Sequence, residues 1–102
     1  MKSDHFQIFK SALHVAVQKH LASGKKLERN TFIEKDGTSC PIGCLTGEIK
    51  GIAYNEAISN ALNIKISQKE MWEFIDGFDD GMIHESDLSR LGIEFRKLYL
   101  VK

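Results

Sequence analysis

Asp36-Gly37-Thr38-Ser39-Cys40-Pro41-Ile42-Gly43-Cys44-Leu45 brings together a turn dipeptide, the only proline and both cysteines of the chain. Asp-Gly readily takes the positive φ of a tight turn. Thr31–Lys35 and Thr38–Cys40 on either side are therefore expected to pair as a short β-hairpin. Proline suits the first position of a helix, where its missing N–H costs nothing. Pro41 is expected to open a short helix that carries Ile42, Leu45 and Ile49 on one face and ends at Gly51. Gly43, inside that pattern, lets a neighbouring element approach closely.

Working outward, residues 3 to 23 read as a long amphipathic helix. Phe6, Phe9, Leu13, Ala16, Val17 and Leu21 recur at helical spacing, with Ser3 as a cap and Gly24 as a stop. Ile8, Ala12 and Val15 form a second, thinner stripe about 120–140° round the same helix. A helix that is apolar on two sides is either sandwiched within a fold or shared with a partner.

Downstream, Tyr54, Ala57, Ile58, Ala61 and Leu62 follow helical spacing, and Asn63 is a left-handed stop. Ser67-Gln68-Lys69-Glu70 is a capping box opening a helix with Met71, Trp72, Phe74 and Ile75. Gly77 is expected to end it, and with Gly81 it brackets an acidic loop, Asp76–Asp80. Ser86 caps a last helix bearing Leu88, Leu91, Phe95 and Leu98. The expected fold is α+β but mostly α. About five helices pack round one core with one short β-hairpin, in a single compact domain over residues 1–102.

Of the 102 residues, 42% are apolar, enough for one modest core. Lys+Arg and Asp+Glu are 14 each, so no net charge draws the chain to nucleic acid or an anionic membrane. Its apolar runs are too short to span a bilayer. Met1–Phe6 lacks the apolar run and cleavage site of a secretory signal. The expected compartment is the cytoplasm, where both thiols stay reduced.

The cysteines are spaced C-x3-C, whereas a redox dithiol has two intervening residues. Cys40 alone, at a helix start, is a candidate for a thiol of lowered pKa and hence for a thiol-active enzyme. Zinc would need two further ligands from His5, His14, His20 or His84, and none stands at a recognised spacing. Buried cysteines also serve as small hydrophobes.

The acidic segment Asp76–Asp87 can be laid on the calcium loop of an EF-hand, with Asp76, Asp80 and Asp87 as ligands, Gly81 at the sharp turn and Ile83 at the apolar position. Phe78 falls where an oxygen ligand is needed, and Asp87 replaces the terminal glutamate. The alternative is a solvated acidic turn. Residues 57 to 76 resemble a helix-turn-helix with an overlong turn. Its second helix carries Glu70, Glu73 and Asp76, which phosphates repel, so nucleic acid is an unfavourable partner. No phosphate-binding glycine loop, nucleophile elbow or His-Glu-x-x-His is present. No cofactor is implied. Trp72 either packs beside the Met71/Phe74/Ile75 face or marks a binding patch, since aromatics concentrate at interfaces.

The order helix, Asp-Gly-x-x-Cys-x-x-Gly-x-Leu, alanine-rich helix and aromatic helix with an acidic turn resembles small proteins of bacteria and their phages that have no assigned activity. Cys40, Gly43 and Leu45 match that element, Ala57, Ala61 and Leu62 the next helix, and Asp79-Asp80 the acidic turn. The resemblance implies that Cys44 stands where a small packed residue is usual.

Together these readings lead to a small non-enzymatic cytoplasmic protein, of phage or mobile-element type, that binds another protein or forms a homodimer. The expected contact residues are Ile8, Ala12, Val15 and Trp72. A calcium-like site at Asp76, Asp80 and Asp87, and a thiol enzyme built on Cys40, are the alternatives.

Overall fold

A computed structural model describes residues 1–49 and 51–100. In chain order the helices are α1 (Ser3–Ala22), α2 (Pro41–Thr46), α3 (Tyr54–Leu62), α4 (Gln68–Asp80) and α5 (Asp87–Tyr99).

Local chemistry sets most of the helix ends. Ser67 accepts from the Glu70 N–H, and the Glu70 carboxylate accepts from the Ser67 N–H, closing the expected box. Asn63 ends α3 in the left-handed region (φ 54°, ψ 49°). Ser86 Oγ accepts from the Ser89 N–H at the start of α5. Pro41 stands at the first position of α2, as expected. At α1 the cap position is Lys2, with no side-chain bond, rather than Ser3.

Three further expectations fail. The β-hairpin is absent, so the fold is helical and not α+β. Lys35 and Asp36 form a turn closed by Gly37 N–H to the Glu34 carbonyl (3.0 Å), but only a single antiparallel bridge, Ile33 to Ser39, follows it. The returning arm has three residues before Pro41 starts a helix. Ser39 also turns to the other side, bridging Leu27 through Ser39 N–H to Lys26 O (3.2 Å) and Glu28 N–H to Ser39 O (3.0 Å). A ladder has no room to propagate.

The short helix ends at Gly47 (φ 68°) rather than Gly51; Lys50, within the expected span, lies outside the described residues. Gly77 does not end α4. The helix runs on to Asp80, and Gly81 (φ 67°) is its left-handed cap.

The core draws on every helix: Phe9, Leu13 and Val17, then Ile42, Ile58, Met71, Phe74, Phe78, Leu88, Leu91 and Phe95. Phe9 meets Phe74 edge-on at 5.6 Å between ring centres, and Phe74 meets Phe95 at 5.9 Å. Arg96 of α5 donates to the Phe78 and Asp79 carbonyls at 2.9 and 2.7 Å. It thereby satisfies acceptors that the end of α4 leaves without helical partners. Ser89, fully buried, accepts from the His84 N–H and donates to the Met82 carbonyl, tying down the α4–α5 connection.

Candidate functional site

The core stripe of α1 turns inward through Phe9, Leu13 and Val17. That rotation leaves the second stripe on the outside. Ile8 is 44% and Val15 50% exposed, with Ala12 half-buried between them. Alongside, α2 supplies Cys44 and Leu45, both half-buried. Between the two helices runs an open groove of about 1000 Å³. Ile8, Ala12 and Val15 form its apolar wall, Leu45 and Cys44 the other side, and Lys19, His20 and Lys25 lie at one part of it. Three of the four expected contact residues thus share one surface.

Trp72 lies elsewhere. It is 49% exposed on α4 and packs at a tilt on Tyr54, 6.3 Å away; Tyr54 in turn stacks on Phe32 at 5.0 Å. These rings border a cleft of about 250 Å³, whose lining includes Cys40, Pro41 and Asp79.

Cys40 is buried at the α2 cap position, and the Gly43 N–H points at its Sγ (3.5 Å). Sequence position alone suggests a lowered thiol pKa there, but the direction is the reverse. Burial pushes the Cys40 thiol up, and the hydrogen bonds from Gly43 and Ile42 offset only part of that. Burial likewise pushes the Cys44 thiol up to about 11. A reactive thiolate needs the opposite shift.

The acidic run Asp76–Asp80 is not a loop. Asp76 and Asp80 stand on the last turns of α4, whereas Asp87 opens α5. Each of the outer two already has a basic neighbour: Asp76 meets His84 Nε2 at 3.1 Å, and Asp87 meets Arg90 at 3.1 Å. Asp79 accepts the Asn30 N–H at 3.0 Å. Among the described residues no three His, Cys, Asp or Glu side chains converge as a metal site would require.

One polar cluster escapes sequence reading because its members stand far apart in the chain. His14 Nδ1 lies 2.7 Å from the Tyr99 hydroxyl and Nε2 lies 3.3 Å from Glu94, with the ring stacked on Phe95 at 4.3 Å. Lys10 approaches the same Glu94 at 3.9 Å. The cluster fastens α5 to α1 and lines neither the groove nor the aromatic cleft.

No helix among the described residues is long and apolar enough to cross a membrane. No family model matches the chain, and no curated protein or solved structure matches it.

Proposed function

We propose that this chain is a small cytoplasmic, non-enzymatic protein whose task is to bind another protein surface through the outer face of α1. The observation that carries the reading is the groove between α1 and α2, in which Ile8, Ala12 and Val15 meet Leu45. Ile8 and Val15 are large apolar side chains left about half in water on a helix whose other face is fully packed. Removing such surface from water is worth about 25 cal/mol per Å², and an apolar stripe flanked by polar positions is the form in which helices engage partners.

Both thiols are held protonated by burial, which supports a binding role over thiol chemistry. The test is association by the purified chain and capture of proteins by the immobilised chain, comparing the native sequence with I8K/V15K and with W72K. The reading expects both activities to be lost in I8K/V15K and kept in W72K. Unchanged association and capture in a folded I8K/V15K would overturn it.

A further inference from the structure

We propose that the occupant of the α1 groove is a second copy of this chain, its α1 laid antiparallel against the first. The inference rests on the α1 reading above and names its partner.

Four residues of α1 carry it. Asp4, Ile8, Val15 and Lys19 are spaced so that, at about 100° per residue, all lie within one narrow strip of the helix surface. Ser11 borders the same strip. Both pairs, Ile8 with Val15 and Asp4 with Lys19, are symmetric about one point, between Ser11 and Ala12. A two-fold axis through that point therefore places Ile8 opposite the partner's Val15 and Val15 opposite the partner's Ile8. The same operation sets Asp4 against the partner's Lys19 at one end of the seam and repeats that pair at the other. Such an interface is isologous, each surface complementing itself. At the crossing stand Ser11 and Ala12, small enough for the helices to approach within the usual packing distance of about 8–10 Å.

The charges around the groove favour this occupant. Among the described residues the groove is lined by Lys19, His20 and Lys25 and by no carboxylate, so an occupant bearing an acidic group fits it best. α1 has that group at Asp4, spaced to reach Lys19 when Ile8 and Val15 are in register. One Asp4 carboxylate oxygen accepts the N–H of its neighbour His5 at 3.0 Å, but neither the Asp4 carboxylate nor the Lys19 ammonium forms an ion pair with another described residue. The groove also has side walls, with Leu45 and Cys44 of α2 bordering the strip.

The test is sedimentation of the full chain from about 1 µM to about 1 mM, with D4K, K19D, an equimolar mixture of those two, and I8K/V15K. The native chain is expected to shift from monomer to dimer across that range. Each single charge reversal sets like charges at both ends of the seam and is expected to weaken the dimer about tenfold. Mixing the two variants restores attraction at both ends, so the mixture is expected to dimerise as the native chain does. Weakening by each single reversal together with that rescue marks the antiparallel pair, because a parallel pair would already set Asp4 against Asp4 and Lys19 against Lys19 in the native chain. A dimer that ignores all these substitutions, or a mixture no tighter than its components, would overturn the inference. A chain that stays monomeric throughout, yet captures another protein in a manner lost with I8K/V15K, would overturn the second-copy occupant alone. Loss of that α1 dependence would remove the broader reading as well.

Discussion

Gly77 of α4 and Gly92 of α5 face each other where the two helices cross. A methyl group on Gly77 would lie 3.3 Å from the Gly92 Cα and would run into the Ser89 carbonyl oxygen. One on Gly92 would collide with the Phe74 carbonyl oxygen and lie 2.9 Å from the Phe78 nitrogen. The obstacles are backbone atoms, which cannot swing aside as a side chain can.

Gly92→Ala therefore sets two effects against each other. Alanine favours a helix interior by about 1 kcal/mol, while forcing a methyl into a filled contact costs about 1–3 kcal/mol. Because backbone must move, the cost falls in the upper part of that range, about 2–3 kcal/mol, and wins. Urea denaturation should show Gly92→Ala less stable by about 1–2 kcal/mol. A midpoint at or above the native one would mean that α4 and α5 are further apart than described.

Asp79 links stability to pH. Burial is the main cause that holds its carboxyl above the usual 3.8; the Asn30 N–H opposes it, and Asp80 and Asp76 reinforce it. Since the folded pKa is the higher, the unfolded chain loses this proton first as pH rises. Stability from this group is thus full below about 3.8 and falls as pH rises through the folded value. Asp79→Asn keeps an oxygen for the Asn30 N–H and removes the charge. Its urea midpoint should exceed the native one at pH 7, and the two should converge at pH 3. A lower midpoint at pH 7 would show that the charge is compensated in the fold.

The thiols give a third check. With both pushed upward by burial, a disulfide reagent at pH 7.5 should label the native chain slowly. Both should react rapidly in strong denaturant. Fast labelling of Cys40 in the folded protein would contradict its burial and revive a thiol-based activity.

Apart from Ser3, which lies inside α1 rather than capping it, the helix ends set by neighbours in the chain read correctly. The Ser67/Glu70 box, Asn63, Pro41 and Ser86 all act within three or four residues, so their chemistry is visible in one dimension. Gly77 misleads for the converse reason. A glycine late in a helical pattern reads as a stop, and only Gly92 across the crossing explains it as a contact. The Asp36-Gly37 turn is legible, but a ladder needs two free arms, and Ser39 is shared with Lys26 and Glu28. Gly47 and Gly51 both take positive φ, and the sequence offers nothing to prefer the earlier as the end of α2. At the candidate site, periodicity reveals Ile8, Ala12 and Val15. It does not reveal Leu45 and Cys44 beside them, because that placement depends on how α2 docks on α1.

Ile8 and Val15 contribute little to the core, being about half exposed. I8K/V15K should therefore unfold within about 0.5 kcal/mol of the native chain while losing association. Phe9→Ala on the opposite face should cost about 3–5 kcal/mol. Equal destabilisation by both would show that the outer stripe is part of the monomer's packing.

The most direct measurement is an NMR titration of the isotope-labelled chain with its own unlabelled copy. Concentration-dependent shifts should centre on Ile8, Ser11, Ala12, Val15 and Lys19 of α1 and extend to Leu45 of α2. Shifts centred instead on Trp72 and Tyr54, or none up to about 1 mM, would contradict a self-complementary α1 face.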